Sequence, residues 1–145
     1  MYVSSRSPSH GARAYAIVGT EIGVMSASPH QLIVMQFDGA KTAITMARHH
    51  MEKQEVSAKG NAISKAIDIV ENGLRASLDA QAAGPEGADL AANLSALYGY
   101  ISQRLMQANL NNDPMLLDEA DRLLESIGSA WREIAPASQP LPVAA

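Results

Sequence analysis

Ser28-Pro29-His30-Gln31-Leu32-Ile33-Val34-Met35-Gln36-Phe37-Asp38-Gly39-Ala40, running on through Ile44 and Ala47 to Met51, opens with three helix-start signals and then keeps one spacing. Ser28 can cap, Pro29 suits a first helical position where its missing N–H is not needed, and Gln31 can complete a capping box. Ile33, Phe37, Ala40, Ile44, Ala47 and Met51 recur at steps of four and three, which places them on one helix face. The stretch predicts a helix from Ser28 to Met51 with that face turned into a core.

Three further stretches repeat the reading. Ser57 to Ala80 carries the stripe Ile63, Ile67, Val70, Leu74 and Leu78, and Ala82-Ala83-Gly84-Pro85-Glu86-Gly87 then breaks the pattern. A third helix resumes near Ala88 with Leu90, Leu94, Leu97, Ile101, Leu105 and Ala108, and stops at Asn109-Leu110-Asn111-Asn112. Asp113-Pro114 is a cap and first-position pair for a fourth, whose period is Ala120, Leu124, Ile127, Trp131 and Ile134 before Pro136 closes it. Acidic Asp118, Glu119 and Asp121 toward its start and Arg132 near its end suit the helix dipole. Four helices of similar length with mostly short connections are expected to form an all-α, antiparallel four-helix bundle over residues 28–135. Residues 1–27 are read as a flexible N-terminal segment with a short cap helix as a candidate over Arg13 to Ile22. Residues 136–145, with three prolines and no charge, are read as a disordered tail.

Composition supports one helical domain. The chain has 145 residues, 47% of them hydrophobic but only 4% aromatic, a balance that favours helices over a β-sandwich. A net charge of −4 supplies no broad basic field, so nucleic acid is not an expected partner. With no cysteine there is no disulfide framework, which fits the cytoplasm. Met1 to Arg13 is polar and does not read as a secretory signal, and no apolar run approaches the roughly 20 residues of a membrane span, so membrane insertion is not expected.

Two rows exceed what one core face requires. Leu32, Met35, Gly39, Thr42 and Met46 form a second stripe on the first helix. Ala62, Ala66, Ile69, Gly73, Ala76 and Ala80 form a row of mostly small residues on the second. The plain reading is contact with neighbouring helices inside the bundle. The sharper one is a groove for a partner helix, which methionines would make adaptable. Leu32, Met35, Ile69, Gly73 and Ala76 are its candidate lining. Gly39, Gly73, Gly99 and Gly128 put at least one glycine inside each predicted helix, which implies either close backbone approach or a bundle loose enough to remould.

No constellation for chemistry emerges. His49 and His50 point about 100° apart on a helix. The His49/Glu52 pair is reversed and unrepeated relative to the Glu-x-x-His motifs of di-iron bundles. With no nucleophile motif, phosphate loop or paired core carboxylates, the reading is a binding protein without a cofactor or metal, not an enzyme.

Several separated stretches nevertheless share one resemblance. Ala27-Ser28-Pro29 through Gln36-Phe37-Asp38-Gly39-Ala40, then Leu97-Tyr98-Gly99-Tyr100-Ile101, Arg104-Leu105, Ala108-Asn109-Leu110 and Ala130-Trp131, look like the flagellin-specific export chaperones of bacterial flagella, the FliS family, in the same order. Phe37 stands where that family usually has tyrosine, and Gln36 where it is usually apolar. The resemblance covers Tyr15 through Ile134. It implies a cytoplasmic helical bundle that holds the C-terminal segment of flagellin, blocks premature polymerisation and keeps the client fit for export. It also implies an N-terminal cap, here Tyr15, Ile17 and Val18, over part of the client surface, and leaves contacts with export-gate components and a monomer or weak dimer open. The competing expectation is a generic helical adaptor for another secretion or signalling protein.

Overall fold

The computed structural model describes residues 27–81 and 87–134. The chain divides into the units Met1–Leu32 and Ile33–Ala145; of the first, the described residues hold only the start of one helix. The candidate cap helix with Tyr15, Ile17 and Val18, the break at residues 82–86 and the tail from Pro136 lie outside the described residues.

Helix α1 (Pro29–Glu52) starts as its sequence dictates. Gln31 N–H donates to Ser28 Oγ at 3.1 Å and Ser28 N–H to Gln31 Oε1 at 2.9 Å, closing the capping box. Ile33, Phe37, Ala40, Ile44 and Ala47 of the predicted stripe are buried, joined by Ala43. The helix is followed by Gln54 in the left-handed region, φ 59°, with Glu55 N–H reaching back to His50 O at 2.9 Å.

The second rod is continuous but not uniform. It comprises α2 (Val56–Asp68), a π turn (Ile69–Leu74), a 3-10 turn (Arg75–Ser77) and α3 (Leu78–Gln81). Val70, Leu74 and Leu78 are spaced by four, and in an α-helix each such step drifts by about 40° around the axis. A wider π turn, with Arg75 N–H bonded to Val70 O, takes up that drift and keeps Val70 and Leu74 fully buried. Leu78 N–H then bonds Arg75 O in a tighter turn. Side chains serve the carbonyls in this stretch: Ser77 Oγ donates to Gly73 O at 2.7 Å and Gln81 Nε2 to Leu74 O at 2.7 Å. Gln81 Oε1 in turn accepts from the Tyr98 hydroxyl at 2.6 Å, and burial raises the Tyr98 pKa above its ordinary value.

Helix α4 (Gly87–Asn111) supplies Tyr98, Ile101, Leu105 and Ala108 to the core. It ends on Asn112, φ 50°, with Asp113 N–H bonded to Ala108 O at 3.1 Å. Buried Lys59 of α2 closes this end, donating to Asn109 O at 3.0 Å and to Asn112 Oδ1. Helix α5 (Pro114–Glu133) has the expected cap, Asp113 Oδ1 accepting from Met115 N–H at 2.9 Å, and buries Leu117, Ala120 and Leu124. Trp131 is half-buried against the same core.

Cross-contacts establish the antiparallel bundle. Asp38 pairs with Arg132 and Arg48 with Asp118, so α1 and α5 run in opposite directions. Lys59 meets Asn109 while Arg75 Nε donates to Ser95 Oγ at 3.0 Å, which orders the second rod against α4. Arg104 and Tyr100 both reach Glu119, which ties α4 to α5. The helix glycines mark close approaches. A Cβ at Gly128 would stand 3.2 Å from Phe37 Cγ, and one at Gly99 3.3 Å from an Arg75 guanidinium nitrogen.

Candidate functional site

The bundle seams differ in how they are fastened. Between α1 and α5, Arg132 pairs with Asp38, Lys41 with Glu125 and, at 3.8 Å, with Asp121, and Arg48 with Asp118. The Lys41 hydrogen bond, with a smaller contribution from Ser129, holds the Glu125 carboxyl below its ordinary pKa. Between the second rod and α4, Glu71 accepts from Arg75 at 2.9 Å and from Ser102 Oγ at 2.6 Å, a partly buried polar link. Among the described residues, the ion pairs reach the α1–α2 seam only at its end, where His50 meets Glu55, the residue that precedes α2. Ile69 Cδ1 lies 3.5 Å from where a Cβ of Gly39 would be, and Gln36 Cδ lies 3.3 Å from the corresponding point at Gly73.

That seam opens into a groove of about 470 Å³. Gly39, Thr42, Ala43, Met46 and His50 of α1 form one wall, and Ala58, Asn61, Ala62 and Lys65 of α2 the other. Three members of the second α1 stripe and one of the small-residue row thus line a single concavity. Met46 is 51% exposed, a large apolar side chain that the described residues leave half uncovered. The rim is polar, and its ionisable side chains, His50 and Lys65, are basic. His50 Nδ1 lies 2.8 Å from Glu55 Oε1, and that bond holds Glu55 below the ordinary carboxyl range. Lys65 is exposed and, among the described residues, makes no ion pair.

The candidate residues from the sequence separate along this seam. Met35, 45% exposed, continues the groove stripe one turn before Gly39. Leu32 is half-buried in the first unit. Ile69 and Gly73 face α1 beyond the groove, Ile69 Cδ1 lying against Gly39 and the Gln36 side chain against Gly73. Ala76 is exposed farther along, while Ala66, from the same row, is fully buried in the core. Sequence reasoning missed Ala58, Asn61, Lys65 and Ala43; the first three share one α2 face with Ala62 at helical spacing, but being small or polar they carry no hydrophobic signal. A smaller concavity of about 340 Å³ lies at the bundle end beside Gln54, Val56 and Lys59.

The family described as "Flagellar protein FliS" matches residues 11–138, across all four helical rods. The chain belongs to the FliS family. Similar FliS proteins include the "Flagellar secretion chaperone FliS" of Salmonella typhimurium, 50% identical over 136 residues covering 94% of each chain. The Escherichia coli protein of the same name is 46% identical over 123 residues, covering 85% of this chain and 88% of that one. The Bacillus subtilis FliS is 28% identical over 110 residues, covering 76% of this chain and 77% of its own. Among the described FliS residues, no helix is long and apolar enough to cross a membrane.

Proposed function

We propose that this FliS-family chain is a cytoplasmic secretion chaperone that binds the C-terminal segment of flagellin, keeping it from polymerising and fit for export. The observation that carries the reading is the α1–α2 groove: apolar walls of Gly39, Ala43, Met46, Ala58 and Ala62, which among the described residues no ion pair crosses. A chaperone must hold a segment that orders on binding, and such a segment needs apolar anchors at helical spacing to offset its ordering entropy. Met46 and Met35 give the surface a polarizable, unbranched lining that adapts to differing side chains. Tyr15, Ile17 and Val18 are proposed to cover part of the client surface, so removing residues 1–18 should raise client affinity. The protein is taken to act as a monomer or weak dimer and to present the loaded client to export-gate components.

Calorimetric titration with the C-terminal segment of flagellin from the same organism tests the reading. Saturable one-to-one binding with a negative heat-capacity change is expected from coupled folding and apolar burial. Absence of binding to a monomeric, competent segment would sink it and favour a helical adaptor for a different secretion protein.

A further inference from the structure

The groove is asymmetric in charge within a protein of net charge −4. No carboxylate lines it, and its two basic residues are not equivalent. His50 is engaged by Glu55. Lys65 stands on the α2 rim without an ion pair among the described residues. The nearest acid one turn along, Asp68, accepts from Asn72 Nδ2 at 2.5 Å and does not pair with Lys65. The ammonium is therefore a charge held at the edge of an apolar concavity with nothing in the described bundle to neutralise it.

We propose that Lys65 selects a carboxylate side chain on the helix that docks in this groove, fixing the register and direction of the client. The inference rests on the chaperone reading and adds the chemical feature of the client that the groove recognises. From Gly39 to His50 the α1 wall spans about 16 Å, or three turns, enough for apolar anchors at i, i+3 or i+4, and i+7. Ala43 and Ala62 admit the docked helix closely, and Met46 conforms to its apolar face. An Asp or Glu on the flank of that face then meets Lys65, while Thr42 and Asn61 offer hydrogen bonds to neighbouring polar groups. Apolar anchors alone accept a helix in either direction. A single charge contact on one rim breaks that degeneracy, because a reversed or slipped helix leaves Lys65 without its partner.

The experiment titrates the full chain, K65A and K65E with the flagellin C-terminal segment at low and high salt, with circular dichroism as the control for folding. Lys65 is exposed, so both variants should fold as the parent does. Expected are about a threefold loss of affinity for K65A, as for an exposed ion pair, a larger loss for K65E, and a shallower salt dependence for both. Acidic residues of the segment are then changed to lysine one at a time, and one of these should restore binding to K65E. Affinities for K65E equal to the parent's overturn the inference while leaving the chaperone reading intact. So does a weakening that no client substitution reverses, since it would reflect a general field and not a pair. If the parent chain fails to bind the segment, the chaperone reading fails, and this inference falls with it.

Discussion

Gln36→Met isolates a single unfavourable group. Among the described residues, Gln36 Oε1 is buried without a hydrogen-bond partner, wedged where Gly73 leaves room in the π turn. An acceptor removed from water and left unpaired costs about 1–3 kcal/mol, and methionine keeps the unbranched shape while deleting the oxygen. Allowing for adjustment of the Gly73 contact, a gain of about 1 kcal/mol is expected. With a urea slope of about 2 kcal/mol/M, the unfolding midpoint should rise by about 0.5 M at unchanged slope. The assay is equilibrium urea unfolding followed by Trp131 fluorescence and far-UV circular dichroism together, coincidence of the two confirming a single transition. A midpoint equal to or below the parent's would refute the reasoning, because it would mean that the amide is satisfied in solution.

Replacing the left-handed Gln54 with glycine should stabilise the chain by about 0.5–1 kcal/mol, since φ 59° costs an L side chain more than the added freedom of the unfolded glycine; a loss in thermal unfolding would contradict this. Lys59→Met removes the donor to Asn109 O and Asn112 Oδ1 and should destabilise by about 1–3 kcal/mol, read as a lowered urea midpoint. The acid limb of stability should depend on Lys41. Its hydrogen bond lowers the folded pKa of Glu125 from 4.5, so as pH falls the unfolded chain takes up protons first, and the contribution present above that range is lost through the lowered value. Lys41→Met should flatten the fall in urea midpoint below pH 4.5, and an unchanged pH profile would argue against the pairing.

Where a local signal has a direct physical cause, residue order foretold the structure closely. Ser28-Pro29-His30-Gln31 and Asp113-Pro114 became the capping interactions their chemistry allows, and the α1 stripe from Ile33 to Ala47 became core. The π turn was not legible in this way. Steps of four at Val70, Leu74 and Leu78 fit either an α-helix that drifts or a turn that widens, and the bonds that accompany the wider turn, Gln81 to Leu74 O and Tyr98 to Gln81, join residues 7 and 17 positions apart. The groove was half legible. Met35, Gly39, Thr42 and Met46 stood out because a second apolar stripe needs a cause, whereas Lys65 and Asn61 resemble any solvated helix positions until α1 is placed beside them. The row of small residues was the least decisive signal, since an alanine serves a core and a groove equally, and Ala66 went to one while Ala62 went to the other.

The ion-paired seam between α1 and α5 has a consequence for biosynthesis. It joins the first and last described helices, so Asp38 waits for Arg132, and Phe37 waits for Gly128, while almost the whole bundle is translated between them. Contacts of such long sequence separation are slow to close. At about 5–20 residues per second, a chain made as far as Asn112 spends one to a few seconds with the α1 core face open before α5 emerges to cover it. For that interval the nascent chain exposes its own apolar stripe, and for a short time it has the same need for shielding that it is proposed to meet in another protein.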